Sequence, residues 1–169
     1  LEGCLDLAPG FDTCGWFARD IATFSRVADV LLAGDAVELP APVKLLWPED
    51  LWSLAVPAAR EAHAAAIERI RKVLGEPEVV TVTLDSLDAI YWAFRYIQGR
   101  EAWNTHGALI TRYQPPLGPG VAERFAWSSG VTDTQVAEAR AFRERYRSHI
   151  DALLGRSGVL LMPTMPDIS

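Results

Sequence analysis

The chain's 169 residues suffice for one domain with a core of its own, and a composition of 50% hydrophobic and 22% charged residues is that of a globular protein rather than a disordered one. A formal net charge of −6, with two lysines among sixteen basic residues and no basic stripe, excludes nucleic acid as an expected partner. No run of eighteen apolar residues and no basic-then-apolar signal segment occurs, so no membrane partner is expected and the cytoplasm is the expected location; the sequence does not open on Met, and a leader upstream of Leu1 stays open.

Residues 5–15 read as loop and extended chain around the Pro9-Gly10 turn signal. A helix is predicted over about 17–33, capped by Asp12 or Thr13. Its apolar face is Phe17, Ile21, Phe24, Val27, Ala28 and Leu31, and Gly34 stops it. A connector with Pro40 and Pro42 leads to a short buried strand, 43–47, ended by Pro48. A second helix starts between Ser53 and Pro57 and runs to Leu74, turning Ala59, His63, Ile67, Ile70 and Leu74 to one side before Gly75.

Glu78 to Leu84 alternates as a strand, with Val80, Val82 and Leu84 on one face. Asp85 is the expected cap of an aromatic-rich helix holding Tyr91, Trp92, Phe94 and Tyr96, which Gly99 bends on its way toward Ile110. A Pro- and Gly-rich loop, 111–120, precedes a short helix near 121–127. Thr132 and Gln135 then form a capping box for a helix to about Leu154, which packs Val136, Ala139, Phe142, Tyr146, Ile150 and Leu153. Residues 158–163 close the chain with an apolar strand. Strands alternating with crossover-length helices define an α/β class with a largely parallel sheet. Three strands make a thin sheet with edges left open, so part of it is expected to lie outside this chain.

Four segments, in this order, carry a resemblance. They are Leu5-Asp6-Leu7-Ala8-Pro9-Gly10-Phe11-Asp12-Thr13-Cys14-Gly15-Trp16-Phe17-Ala18-Arg19-Asp20; the helix Phe94 to Gly107, with its Gln98-Gly99-Arg100-Glu101-Ala102-Trp103; Leu117 to Phe125, followed by a helix carrying Ala139 and Arg143; and Val159 to Pro166. Together they resemble the part of the amidase signature family that follows its serine- and glycine-rich signature. The resemblance covers nearly all of residues 1–169 and implies a single amidase-like domain, incomplete in this chain, with a mixed, largely parallel sheet covered by helices. It implies hydrolysis of a carboxylic amide C–N bond through an acyl-enzyme, using a serine nucleophile, a second serine and a lysine, and neither metal nor cofactor. Those three residues have no match here and are expected upstream of residue 1, so the chain alone is expected to be inactive. The expected partners are a small-molecule amide and the missing N-terminal half, with a homodimer left open.

The residues themselves supply no substitute nucleophile. Ser128-Ser129-Gly130 lacks the glycine-rich flanks of an oxyanion-hole loop and reads as loop serines ahead of a capped helix. Neither Lys44 nor Lys72 follows a serine by three positions. No two histidines have metal-ligand spacing, and Cys4 and Cys14, ten positions apart, fit neither a metal knuckle nor a redox pair. Either a disulfide or two free thiols fits them, with Cys14 read as a small buried hydrophobe. In the family the post-signature part contributes much of the substrate pocket. The pocket candidates are therefore Asp12, Thr13, Gly15 and Trp16 in the opening segment and Tyr96, Trp103 and His106 on the aromatic helix. Core packing for the aromatics and a buried, hydrogen-bonded role for His106 are the competing readings. Two other functions stay open: an amidotransferase subunit generating ammonia for tRNA-dependent amidation, and a non-catalytic scaffold.

Overall fold

The structure, a computed structural model, describes residue 3, residues 5–34 and residues 41–167; Cys4 and most of the 35–42 connector lie outside them. Three strands, β1 (Lys44–Pro48), β2 (Glu78–Val80) and β3 (Gly158–Leu160), form a parallel sheet in the order β2-β1-β3. Leu46 stands opposite Glu78 on one side of β1, and Lys44 opposite Gly158 on the other. The central position of β1 explains its burial: Leu45, Leu46 and Pro48 are all buried. Six helices accompany the sheet among the described residues: α1 (Ile21–Leu31), α2 (Glu49–Trp52), α3 (Pro57–Leu74), α4 (Leu87–Tyr113), α5 (Val121–Ser129) and α6 (Asp133–Leu154). The architecture is the expected α/β one.

Several boundaries move for identifiable reasons. Helix α1 starts at Ile21 because Asp20, not Asp12 or Thr13, is its cap: the Asp20 carboxylate accepts the Thr23 N–H at 2.7 Å. Helix α2 was not foreseen. It follows Pro48 directly and buries Trp52, whose indole N–H donates to the Leu161 carbonyl at 2.7 Å and whose ring stacks on Trp47 at 4.4 Å.

Strand β2 ends at Val80 rather than Leu84, because the Asp50 carboxylate takes over its backbone donors. It accepts the N–H of Val82 at 3.1 Å and of Thr83 at 2.7 Å, together with the Thr83 hydroxyl. Partial burial opposes ionisation of Asp50, but the bonds from Thr83 and Val82 outweigh it and hold the carboxyl below its ordinary value. The predicted alternation survives without a ladder, for Val82 is buried and Thr81 exposed.

Helix α4 is capped by Ser86, whose hydroxyl accepts the Ala89 N–H at 3.0 Å. Asp85, the expected cap, instead stands at φ 62° and pairs with Arg145 at 3.0 Å. Gly99 does not interrupt α4. The capping box at α6 forms as read: Thr132 Oγ1 accepts the Gln135 N–H at 3.2 Å, and Gln135 Oε1 accepts the Thr132 N–H at 2.8 Å.

The chain divides into two compact units, residues 1–37 with 91–143 and residues 38–90 with 144–169. The first has its core at Ala93, Ile97 and Ala139, flanked by Phe11, Tyr96 and Phe142. The second holds the sheet and a core of Trp52, Ala55 and Ala59 against Trp47, Val56 and Ile67.

Candidate functional site

The sequence candidates all belong to the first unit, where the opening segment is laid antiparallel along α4. A turn forms first: the N–H groups of Phe11 and Asp12 donate to the Ala8 carbonyl at 2.8 and 3.0 Å. The Asp12 carboxylate closes it by accepting the Leu7 N–H at 2.8 Å and the Ala8 N–H at 3.2 Å. Three contacts then tie the turn to the helix. The Phe11 ring meets Phe94 edge-on at 5.1 Å, the Gly10 N–H donates to Glu101 at 2.8 Å, and His106 Nε2–H donates to the Asp6 carbonyl at 2.8 Å. A Cβ on Gly10 would lie 2.7 Å from Glu101 Oε1, so the flexible end of that side chain would have to shift. Arg143 from α6 covers the Phe11 ring at 5.3 Å.

Asp12 and His106 are thus brought to one loop, and each is engaged with backbone. A carbonyl can only accept, so the bond fixes the Nε2 proton of His106; its ring also meets Phe125 edge-on at 5.8 Å. His106 was read as buried and hydrogen-bonded; it is hydrogen-bonded but only half-buried. Thr13 and Gly15 are exposed. Trp16 is half-buried and stacks on Phe24 of α1 at 5.1 Å. Cys14 is exposed and free, which corrects its reading as a buried hydrophobe.

Trp103 folds over Gly107 one turn on, where a Cβ would come within 2.7 Å of the indole. Tyr96 stacks on Trp92 at 5.6 Å and on Trp127 at 6.0 Å, and lines a cleft of about 330 Å³ with Trp127, Gly130, Val131 and Gln135. Asp12 belongs to the opening loop and His106 of α4 binds that loop, Trp16 belongs to the Phe24 stack, and Tyr96 to the Trp127 cluster. Ser128 and Ser129 end α5 rather than occupying a loop. Ser128 is buried, at 5% exposure, and the Ser129 hydroxyl donates to the Ala126 carbonyl at 2.7 Å.

The sequence reading missed a second cleft in this unit, of about 250 Å³. Arg95, Gln98, Gly99 and Ala102 of α4 face Arg124, Phe125 and Ser128 of α5 across it, with Leu7 and Val121 at its edge. Arg95 and Gln98 stand three apart and Ala102 four beyond Gln98, a helix-face spacing that was readable. The pairing with Arg124 depends on tertiary structure. Among the described residues no three His, Cys, Asp or Glu side chains gather as metal ligands, and no helix is long and apolar enough to cross a membrane.

The chain is thus α/β, with a thin parallel sheet and its crossover helices, and with an opening loop bound to a long aromatic helix. Comparison with known proteins makes this chain a homologue of the amidase signature family. It is 31% identical over 193 residues to Amidase 1 of Arabidopsis thaliana, covering 97% of this chain and 45% of that protein. It is 22% identical to the protein named Translocon at the outer membrane of chloroplasts 64 from Pisum sativum, over 98% of this chain and 32% of that one. A crystal structure of an amidase superposes with a TM-score of 0.79 at 22% identity, over 98% of this chain and 38% of that chain, and so shows the shared fold. No protein-family model matches the chain. The chain spans less than half the length of the curated relatives it matches.

Proposed function

We propose that this chain serves the hydrolysis of a small carboxylic amide as a part of an amidase that carries no nucleophile itself. The serine nucleophile, its partner serine and the lysine come from sequence outside residues 1–169. This chain supplies sheet, covering helices and a wall of the substrate pocket. The observation that carries the reading is the identity to Amidase 1 across 97% of the chain. The order of its four motif segments supports it, as does the opening loop, which three contacts fix on α4. Serine-based amide hydrolysis draws on positioned N–H donors and a base rather than on a bound metal, and the proposal invokes no cofactor.

The test is a chimera in which residues 1–169 replace the matching segment of the Arabidopsis Amidase 1. Ammonia release from simple amides by the folded chimera supports the reading; a folded but inert chimera contradicts it. The isolated chain is expected to release no ammonia, and turnover by it would show that the nucleophile lies within residues 1–169.

A second reading has one observation in its favour. The relative named as a chloroplast translocon component shares the segment over 98% of this chain, so the same fold portion also occurs in a protein named for translocation rather than hydrolysis. A binding or scaffold role follows if the chimera folds and stays inert.

A further inference from the structure

The cleft between α4 and α5 points to a use that the opening loop does not explain. Two arginines line it, Arg95 and Arg124, and neither makes an ion pair among the described residues. Arg95 is held in place: its guanidinium lies over the Trp127 ring at 4.6 Å, and its Nε is buried without a hydrogen-bond partner. Trp127 is fixed in turn by Gly99, where a Cβ would come within 2.6 Å of the indole and 3.2 Å of Ser128 Oγ. Gly99, Trp127 and Ser128 thus pack without a gap. The hydroxyl of Ser128 and the Gln98 amide add two neutral polar groups, and no hydrogen bond among the described residues engages either side chain. Leu7, Ala102, Val121 and Phe125 make the rest of the wall apolar.

The geometry points to a binding site for a small organic carboxylate with an apolar body. A guanidinium is a planar fork that matches a carboxylate through two parallel bonds, and two such forks with a hydroxyl can satisfy all its lone pairs. The apolar wall favours a carboxylate carrying a ring or branched chain over inorganic phosphate, whose four oxygens would leave that wall unused. At about 250 Å³ the cleft falls below the roughly 300–1,000 Å³ of sites for drug-sized ligands, which sets the ligand near the size of benzoate. The inference is independent of amide hydrolysis: the site would hold benzoate even if the Amidase 1 chimera were inert.

The test titrates the 169-residue chain with sodium benzoate, followed by amide chemical shifts and calorimetry, with benzamide and inorganic phosphate as comparators. Benzoate is expected to shift the amides of Gly99 and Ser128 and to bind at least tenfold more tightly than either comparator. Arg124→Gln, at an exposed position, should cut benzoate affinity at least tenfold while leaving the unfolding midpoint in place. Arg124→Lys, which keeps the charge and loses the fork, should cut it nearly as far and covers the case in which Arg124→Gln fails to fold. The inference is overturned if benzoate leaves those amides unmoved, if benzamide or phosphate binds equally well, or if neither arginine variant weakens binding.

Discussion

Helix α1 carries its apolar residues at steps of three and four along one side and buries none of them, whereas helix α4 has no such side and buries five. Ile21 is 80% exposed, although it heads a face with Phe24, Val27 and Leu31; Ile97, in the middle of α4, is 2% exposed. An apolar stripe states which surface of a helix profits from cover, but the cover must come from elsewhere. Helix α4 finds its cover through small residues. Gly99 lets Trp127 approach the helix closely, Gly107 leaves room for the helix's own Trp103 ring, and Ala93 clusters with the α6 residue Ala139. Burial in this unit follows backbone accessibility more than hydrophobic periodicity.

The contrast is open to direct attack. The largest effect is expected at Ile97→Ala, which should lower stability by about 2–5 kcal/mol in a urea titration, as for other fully buried aliphatic truncations. A loss near zero would mean that α4 is no more anchored than α1. Next, Gly99→Ala should cost about 1–3 kcal/mol by driving a methyl into Trp127, with a matching change in tryptophan fluorescence. An unchanged spectrum would show that Trp127 yields freely.

At α1 the expected effects are local. The Thr23 backbone N–H, the largest of the influences on Asp20, holds its carboxyl below its ordinary value. The ionised form is therefore favoured when the helix is formed. Its contribution is fully present above the ordinary value of 3.8 and is lost as pH falls through the depressed one. Amide shifts of residues 21–31 should move toward coil in that acid window, and Asp20→Ala should produce the same movement at neutral pH. Insensitivity of those shifts to both changes would remove Asp20 as the cap. The smallest effect belongs to Ile21→Ser, expected to alter the unfolding free energy by less than about 0.5 kcal/mol. A larger loss would mean that α1 has cover in solution after all.

Much of the fold was legible because its signals are local. Pro57 at the first turn of α3, Gly75 after its last, and the Thr132–Gln135 box each act within a few residues, and each lies where it was read. The α6 positions Val136, Ala139, Phe142, Tyr146, Ile150 and Leu153 all turned out buried or half-buried. What escaped depends on contacts distant in sequence. Strand β2 stops early because of Asp50, some thirty residues away, and α2 forms where Trp52 can reach the Leu161 carbonyl, over a hundred residues on. The opening segment was marked as important by resemblance, yet nothing in its own residues forecast that Glu101 and His106 would hold its backbone. The cleft of Arg95 and Arg124 escaped for the same reason, since half of its polar lining comes from each of two helices.

Arg100 gives the α5–α6 corner a mechanical character. From α4 its guanidinium reaches the Val131 carbonyl and, at 2.8 Å, the Asp133 carboxylate, and so holds the middle of the three-residue turn at 130–132 and the start of α6. Arg100 thereby ties α4 to the turn and to the first residue of α6. The Asp133 half of the grip is solvent-exposed and screened by salt, whereas the carbonyl half is not. Salt should therefore weaken the Asp133 contact and leave the Val131 contact in place.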